Sequence, residues 1–476
     1  MKYISTRGQA PALSFEDVLL AGLARDGGLY VPETWPTLSP MQIRALRGCS
    51  YSDVAVAVME PFLGGALDSE TFRALVVETY GSFAHAAVTP LTQLDHQTWL
   101  LELFHGPTLA FKDVALQLLG RLFDAILARR KERLTIVGAT SGDTGSAAIE
   151  ACRDREAVDI FILHPHGRTS EVQRRQMTSV LSPNVFNIAV EGTFDDCQDL
   201  VKAMFTDAAF RDSLRLSAVN SINWARIMAQ IVYYFTAAVA LGAPDRDVAF
   251  VVPTGNFGNV YAGYSARAMG LPVSRFVVGS NSNDILARFF ESGTMAMAPV
   301  VPTLSPSMDI QVSSNFERLL FDLAGRDSAQ VRSLMEQFRR EGHYTIDAAL
   351  HNRAQALFSG VRVDEDATRA TITETWDHCA MAIDPHTAVG VAAAAAAVEC
   401  PVAVPKVVLS TAHPAKFPDA VEAATGRRPP LPLHLADLYQ RPERFVVLPN
   451  DLEQIQNFVR RHARIAGSAA GVETGA

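Results

Sequence analysis

Hydrophobic and polar positions follow two different patterns along the chain, and the change between them falls near residue 98. Before it, apolar residues recur at helical spacing, which predicts amphipathic helices and few strands. A turn at Gly27 and Gly28 leads into one short extended piece that ends at Pro32. This first stretch is therefore predicted to form a separate N-terminal unit.

Short apolar runs and helical stretches alternate in the rest of the chain. Predicted strands cover residues 134–138, 159–163, 185–190, 248–252, 273–279 and 407–410. Predicted helices cover residues 146–153, 170–180, 195–206, 223–241 and 260–269. This alternation indicates right-handed βαβ units and parallel sheets, in which ligands bind beyond the carboxyl ends of the strands. Residues 290–380 give a weaker and mostly helical pattern.

Length and composition limit the classes of protein that the chain can belong to. At 476 residues it is expected to form two or three domains, at roughly 100 to 200 residues each. A hydrophobic content of 48% and a charged content of 20% are typical of a soluble globular protein. The net charge of −9 provides no basic footprint for nucleic acid.

The cysteines and the longest apolar run indicate a reduced compartment and no membrane span. The five cysteines are far apart without metal-ligand spacing, so neither a metal site nor a disulfide framework is expected. Reduced thiols favour the cytoplasm. The N-terminus has no apolar signal core, and the run at residues 388–398 is too short to cross a bilayer. That run predicts a buried helix.

Lys112 is a single lysine inside the apolar stretch 104–119, in a chain that has only six lysines. A charged lysine is costly to bury, so such surroundings favour the neutral amine. A neutral amine is a nucleophile that can form a Schiff base with an aldehyde cofactor. The alternative is a lysine at a helix edge whose charged end reaches water.

Two glycine-containing loops follow predicted strands and precede predicted helices, at residues 139–145 and 253–259. Hydroxyl and backbone N–H groups at a helix start form an anion site. In the second loop, Gly255 and Gly258 allow the backbone to approach a phosphate closely. The alternatives are an ordinary helix cap and a tight turn.

Two further stretches supply polar groups that could complete such a site. Thr411 follows the predicted strand 407–410 and brings a hydroxyl to the same edge of the sheet. Asn220, Ser221 and Arg226 lie around the start of the predicted helix 223–241, and their groups together suit a phosphate ester. A polar helix cap with a surface arginine is the alternative. Together with the Lys112 stretch, these four stretches predict a Schiff-base lysine, a cofactor-phosphate loop and a second anion pocket for the substrate.

The motifs that carry these groups resemble those of the threonine synthase family over nearly the whole chain; they lie at residues 102–113, 141–145, 220–223, 255–259 and 411–417. The resemblance implies an α/β, fold-type II pyridoxal-phosphate enzyme similar to tryptophan synthase β. Such a protein has two open parallel-sheet α/β domains plus a mainly helical N-terminal domain. The implied boundaries are an N-terminal domain at 1–92, a large cofactor domain at 93–132 and 230–476, and a small α/β domain at 133–229 that closes over the substrate.

The resemblance also implies a role for each site residue. Lys112 would carry pyridoxal 5′-phosphate and act as the catalytic residue. The remaining cofactor-binding residues would be Asp143, Gly255, Asn256, Phe257, Gly258, Asn259 and Thr411, and the substrate-binding residues would be Thr140, Ser141, Thr144, Asn220, Ser221 and Arg226. No metal is implied. Asp143 is the difficult assignment, because a carboxylate is unfavourable in an anion-binding loop unless it is turned away or shares a proton with the cofactor.

The implied reaction converts O-phospho-L-homoserine and water to L-threonine and phosphate by γ-elimination and β-hydration, the last step of threonine biosynthesis. Two other enzymes fit the same groups, a phosphohomoserine lyase and a threonine dehydratase-like enzyme, and both release 2-oxobutyrate. A cofactor-bound binding protein without turnover is the non-enzymatic alternative. The expected state is a cytoplasmic monomer or homodimer that binds a small molecule, and neither nucleic acid nor a membrane is an expected partner.

Overall fold

The computed structural model describes residues 1–218, 222–397, 400–401 and 403–464. Asn220 and Ser221, two of the expected substrate-binding residues, lie outside the described residues, as does the last residue of the apolar run 388–398. The described part of the chain alternates strands and helices through most of its length.

The strands in this part of the chain are β1 (Tyr3–Ser5), β2 (Tyr30–Pro32), β3 (Leu91–Gln93), β4 (Thr98–Glu102), β5 (Leu134–Ala139), β6 (Val158–Pro165), β7 (Val185–Glu191), β8 (Leu216–Ser217), β9 (Val248–Pro253), β10 (Val273–Ser280), β11 (Thr294–Ala296), β12 (His343–Thr345), β13 (Phe358–Arg362), β14 (Lys406–Ser410) and β15 (Val446–Pro449).

The α-helices in the same residues are α1 (Phe15–Ala21), α2 (Pro40–Ala45), α3 (Tyr51–Leu63), α4 (Ser69–Gly81), α5 (Lys112–Arg130), α6 (Asp143–Cys152), α7 (Glu171–Thr178), α8 (Phe194–Thr206), α9 (Ala208–Ser213), α10 (Trp224–Ala240), α11 (Gly258–Ala268), α12 (Ile285–Ser292), α13 (Phe316–Leu323), α14 (Ser328–Glu341), α15 (Ala348–Gln355), α16 (Glu365–Cys379), α17 (Pro385–Ala396), α18 (Pro418–Thr425) and α19 (Leu452–His462). Short 3₁₀ helices lie at Pro306–Met308, Pro414–Lys416 and Leu433–Leu435.

The chain divides into two compact units, residues 1–118 with 220–437 and residues 119–219 with 438–476. The last stretch, which the sequence analysis assigned to the large domain, belongs to the second unit because β15 pairs in parallel with β7. No helix in the described part of the chain has both the length and the apolar character needed to cross a bilayer. The three-domain division and its boundaries stay a prediction.

The first unit contains a six-stranded sheet in the order β13-β10-β9-β14-β4-β3. All its neighbours are parallel except the edge strand β3, which is antiparallel to β4. Pairing of Ser410 with Glu102 makes β14 and β4 end at the same level. The loops that follow β9, β14 and β4 therefore leave one edge of the sheet side by side, which is where such sheets bind ligands.

Helix α17 explains the run of small apolar residues at 388–398, because it packs very close to this sheet. Ala388, Val389 and Ala393 share a buried core with Val251 of β9 and Val408 of β14. A Cβ atom on Gly390 would lie only 2.7 Å from Val408 Cγ1. The run therefore forms a helix as far as Ala396, and this helix is buried over much of its length, as predicted.

The second unit contains a five-stranded parallel sheet in the order β15-β7-β6-β5-β8. Its core includes Val137, Phe161 and Ile188 from successive strands and Met204 from α8. Side-chain caps begin several of its helices; the Thr193 hydroxyl, for example, accepts the N–H of Asp196 at the start of α8. Two parallel α/β sheets confirm the predicted fold class, and the predicted strands and helices after residue 98 match the observed ones to within a few residues. The weakly patterned stretch 290–380 additionally holds β11, β12 and β13.

We expect Gly120→Ala to destabilise the second unit, because its new Cβ would lie 2.1 Å from the Ala151 carbonyl oxygen at the α5–α6 contact. Such overpacking costs about 1–3 kcal/mol of unfolding free energy. Urea unfolding measures it, with Gly81→Ala as the control, since a Cβ there meets no atom within 4 Å. Equal stability of the two variants would contradict this packing.

Candidate functional site

Lys112 is the first residue of α5 and follows the loop that leaves β4. Backbone hydrogen bonds join this loop to the segment after β14: Phe111 N–H donates to the Thr411 carbonyl (2.8 Å) and His413 N–H donates to the Leu109 carbonyl (3.0 Å). Lys112 is 8% exposed. Two motifs that are about 300 residues apart in the chain are therefore joined directly beside the lysine.

A buried polar cluster holds the start of α5 in place. The carboxylate of Asp113 accepts hydrogen bonds from the Thr108 N–H and hydroxyl, both at 2.8 Å. The fully buried Lys416 donates to the Thr108 carbonyl (2.8 Å). Burial raises the pKa of Asp113 to about 6, even though the Thr108 bonds and the Lys416 charge lower it. Gly106 is required here because a Cβ would lie 2.4 Å from Asp113 Cβ.

In the loop between β9 and α11, backbone carbonyls accept hydrogen bonds from neighbouring residues while most backbone N–H groups are left available for a ligand. Ser313 Oγ donates to the Gly255 carbonyl (2.6 Å), and both the backbone N–H and the side-chain amide of Asn315 donate to the Asn256 carbonyl (3.1 and 3.0 Å). Within the described residues, the backbone N–H groups of Gly255, Asn256, Gly258 and Asn259 have no hydrogen-bond acceptor. Unpaired N–H groups at a helix start form an anion-binding cup.

Local backbone geometry gives this cup its shape. Phe257 has the left-handed backbone conformation (φ 63°), and its N–H donates to the Thr254 hydroxyl (3.1 Å). The Thr254 hydroxyl donates in turn to the Asn259 side chain (2.6 Å). A Cβ on Gly255 would lie 3.0 Å from Ile310 Cδ1 and 3.2 Å from Met308 Cα. The loop is therefore built for close packing on one side and for an anion on the other.

Residues 307–310 connect the cup to the lysine. The Lys112 amine donates to the Ser307 hydroxyl (3.4 Å), while Met308 lies against Gly255. Thr411, which is 6% exposed, makes no side-chain hydrogen bond within the described residues. The first unit thus brings together the lysine, the cup and the strand-end hydroxyl that the sequence analysis predicted at one sheet edge.

Arg226 lies in the first turn of α10, and this helix also borders the cup. The neighbouring Ile227 Cδ1 would lie 3.6 Å from a Cβ on Gly258. Arg226 is only 4% exposed, and its Nε and Nη1 atoms have no hydrogen-bond partner within the described residues. Burial lowers the pKa of Arg226 to about 10, so the guanidinium is still charged at neutral pH. An uncompensated buried guanidinium is costly, and an anionic ligand would supply the missing acceptors.

Arg318 links the start of α10 to the cup, and the sequence pattern did not reveal it. Its side chain is fully buried and donates to the Asn315 side chain and to the Ile222 carbonyl (2.6 Å). Burial lowers the pKa of Arg318 to about 10. Asn315 and Arg318 lie in the weakly patterned stretch 290–380, where neither has a motif around it.

The loop between β5 and α6 belongs to the second unit. The Thr140 hydroxyl accepts the N–H groups of Gly142 and Gly145, both at 2.9 Å. Backbone N–H groups of Ser141 and Thr144 have no acceptor within the described residues. This loop therefore has the open amides of an anion site at a helix start.

Asp143 in the same loop accepts a hydrogen bond from the Gln173 side-chain amide of α7 (2.9 Å). Gln173 is held against Gly142, where a Cβ would lie 2.5 Å from Gln173 Cδ. An amide donor beside the carboxylate reduces its conflict with an anion bound to the loop. This contact supplies a role for Asp143 within its own unit, and its expected contact with the cofactor stays a prediction.

Family models match most of the chain. The sequence matches the family described as "Pyridoxal-phosphate dependent enzyme" over residues 83–411. "Threonine synthase N terminus" matches residues 2–80, and "Threonine synthase, C-terminal" matches residues 387–459. A threonine synthase of Pseudomonas aeruginosa is 58% identical over 97% of this chain and 98% of its own length. The chain belongs to the threonine synthase family.

Solved structures of the family extend the similarity to three dimensions. A threonine synthase from Brucella melitensis, described as bound to pyridoxal phosphate, is 57% identical with a TM-score of 0.96 and covers 98% of this chain and 100% of its own. The yeast threonine synthase is 39% identical with a TM-score of 0.92, covering 97% of this chain and 98% of its own. The predicted family and fold are thereby confirmed.

We expect Lys416→Met to lower the unfolding free energy by about 1–3 kcal/mol, because it removes the donor to the Thr108 carbonyl and the positive charge that lowers the pKa of the buried Asp113. The pKa of Asp113 is already raised from 3.8 to about 6, so the folded state prefers the protonated acid. The contribution of Asp113 to the free energy of unfolding is therefore complete below about pH 4 and disappears as the pH rises through about 6. The difference in unfolding free energy between wild type and Lys416→Met should accordingly grow from pH 5 to 8.

Urea unfolding of a double-mutant cycle with Asp113→Asn measures this coupling. The double variant should be more stable than Lys416→Met alone at pH 8, since no charge is left unpaired. Lys202→Met is the control, because Lys202 is an exposed lysine paired with Asp199 at 2.9 Å and should change stability by less than about 1 kcal/mol. Additive effects at pH 8 would contradict the coupling.

Proposed function

We propose that this protein converts O-phospho-L-homoserine and water to L-threonine and phosphate with pyridoxal 5′-phosphate as cofactor. The observation that carries the proposal is the buried position of the Arg226 side chain. Its buried guanidinium has two nitrogens without partners among the described residues, and it lies at the start of a helix that borders a second, separate anion cup. Two anion sites side by side suit a phosphorylated substrate next to a phosphorylated cofactor.

The residues present fit the cofactor. Amides of Gly255, Asn256, Gly258 and Asn259 would hold its phosphate, and the left-handed Phe257 would keep them pointed inward. When bound, the cofactor links covalently to an amine through its aldehyde and withdraws electrons from the carbons attached to that amine. Thr411 would face the ring nitrogen with a neutral hydroxyl, which stabilises a positive charge there less than a carboxylate would.

Lys112 performs the chemistry that belongs to the chain. Its amine would hold the cofactor at rest and would be released when the amine of the substrate takes its place. The freed amine would then accept a proton from the substrate Cα, remove a proton from Cβ and deliver one to Cγ while phosphate departs and water adds at Cβ, and finally return a proton to Cα. Its low exposure keeps bulk water away from these transfers.

The substrate contacts are assigned by the same proposal. Arg226 would hold the substrate phosphate with its unpartnered Nε and Nη1 atoms, together with Asn220 and Ser221 from the sequence motif. Thr140, Ser141 and Thr144 would bind the substrate carboxylate and part of the phosphate. The open N–H groups of Ser141 and Thr144 support this, as does the Thr140 hydroxyl, whose own proton is left for a ligand.

The compartment and the oligomeric state belong to the proposal as well. We propose a cytoplasmic enzyme, because the cysteines in the described residues are free thiols, as is usual there. For the oligomeric state, the proposal is a monomer or a homodimer.

We expect the full-length protein, loaded with cofactor, to release L-threonine and phosphate in equal amounts from O-phospho-L-homoserine. Chromatography of the products measures both, together with 2-oxobutyrate. Lys112→Ala should release none of them, and borohydride should no longer fix the cofactor to the protein, because the linking amine is gone. Release of 2-oxobutyrate without threonine would favour a lyase, and a borohydride-fixed cofactor without turnover would favour a binding protein.

Arg226→Gln should raise KM for phosphohomoserine roughly 10- to 100-fold, the value of a charge-assisted hydrogen bond. Arg226→Lys should restore only part of the affinity for phosphohomoserine, because lysine keeps the positive charge but lacks the planar guanidinium that donates two parallel hydrogen bonds. Cofactor affinity should change much less than KM in both variants.

The control for this pair is Arg267→Gln on α11. Arg267 donates to a backbone carbonyl, that of Val273 (3.1 Å), in the last turn of that helix. We expect the Arg267→Gln variant to keep the wild-type KM for phosphohomoserine. If Arg226→Gln instead weakened cofactor binding as much as it raised KM for phosphohomoserine, Arg226 would have a structural role.

A further inference from the structure

A chain of hydrogen bonds, partly buried at Ser307, leads from the Lys112 amine to a histidine–aspartate pair. The amine donates to the Ser307 hydroxyl (3.4 Å), and Ser307 N–H donates to His386 Nε2 (3.2 Å). His386 Nδ1 bonds to Asp384 Oδ2 (2.7 Å). His386 is 4% exposed and Asp384 is fully buried, so both are shielded from water.

The partners determine the tautomer of His386. A backbone N–H can only donate, so Nε2 must carry its lone pair toward Ser307. The proton therefore lies on Nδ1 and is directed at the Asp384 carboxylate. This is the arrangement in which a carboxylate orients a neutral imidazole so that its other nitrogen can act as an acceptor.

Asp384 is held rigidly by the start of α17. Its Oδ2 accepts the His386 N–H (3.0 Å), and its Oδ1 accepts the Thr387 N–H (3.1 Å) and the Thr387 hydroxyl. The Thr387 hydroxyl also lies 3.0 Å from Ser410 Oγ, at the end of β14. One carboxylate thus connects the strand end before Thr411 to the histidine.

The His386 ring has little freedom to move. It packs against the Phe417 ring at 4.9 Å between centroids, and Phe417 belongs to the same motif as Thr411. The 3₁₀ turn Pro306–Met308, which carries Ser307, also touches Gly255 through Met308. A shift of this turn would therefore change the surroundings of both the Lys112 amine and Gly255 in the cup.

We propose that His386, oriented by Asp384, is a positioning residue that holds Ser307 beside the Lys112 amine and so sets the direction and proton affinity of that amine. His386 reaches the amine through the backbone N–H of Ser307. The Ser307 hydroxyl accepts a hydrogen bond from the amine, which favours the protonated form of Lys112. The proposal rests on the proposed function for its kinetic consequence, but not for its effect on the amine itself.

The decisive experiment measures the acetylation rate of Lys112 at pH 8 in the full-length, cofactor-free protein. Trace labelling followed by peptide mass spectrometry provides the rate, with the exposed Lys2 and Lys202 as internal references. Ser307→Ala and His386→Leu should both accelerate labelling of Lys112 by about threefold or more, because a lost acceptor disfavours the protonated amine. His386→Gln should label at close to the wild-type rate, since its Oε1 can still accept the Ser307 N–H.

Kinetics of the loaded enzyme provide the second measurement. His386→Leu should lower kcat roughly 10- to 100-fold, the usual penalty for a misplaced catalytic group, while KM stays within about threefold because Arg226 is untouched. His386→Gln should recover most of kcat. The matched control is His351→Leu, which also removes a histidine-to-backbone bond (Nε2 to the Phe290 carbonyl, 2.9 Å) in the same unit.

Three outcomes would overturn the proposal. One is an unchanged labelling rate for Lys112 in folded Ser307→Ala or His386→Leu protein. Another is a His386→Gln variant that is as impaired as His386→Leu in kcat, and the third is a His351→Leu control that loses kcat to the same extent. Failure of the proposed function would look different, since the wild-type protein itself would then release no threonine.

Discussion

The buried cluster of Thr108, Asp113 and Lys416 is the constraint on which the rest of the site depends. It ties the loop after β4 to the 3₁₀ turn after β14, and both loops then present their functional groups at one level. A buried carboxylate and a buried ammonium are each costly alone, so the two motifs must fold together. Lys112, which directly precedes Asp113 in the chain, is placed by charges that take no part in the chemistry.

The anion cup relies on a different principle, the polarity of the backbone. Ser313 and Asn315 occupy the carbonyls of the loop from outside, which leaves its amides to face inward. Arg318 then connects Asn315 to the start of α10, where Arg226 lies. One hydrogen-bonded network thus joins the cup to Ile222, just before the helix that carries Arg226, and a distortion of the cup is transmitted to the start of that helix.

Much of the site could be predicted because its groups lie in short, unusual motifs. Lys112 is one of only six lysines and is surrounded by apolar residues. The loops at 139–145 and 253–259 each join a strand to a helix and contain glycines that the backbone requires. Ser307, Asn315, Arg318 and the pair Asp384 and His386 could not be predicted in this way. Each is an ordinary polar residue in its local sequence, and its role arises from a partner that is remote in the chain.

The sequence by itself determined the alternation of strands and helices, the sheet edge that carries the site and the family to which the chain belongs, because periodicity and motifs are local properties. Only the tertiary structure decided which polar groups are buried and which of them lack partners. Within the part of the chain that the structure describes, Arg226 is buried with two unpartnered nitrogens, Asp143 accepts from Gln173, and His386 accepts from Ser307. Desolvation and hydrogen-bond geometry depend on residues brought together from distant parts of the chain, and no local pattern encodes them.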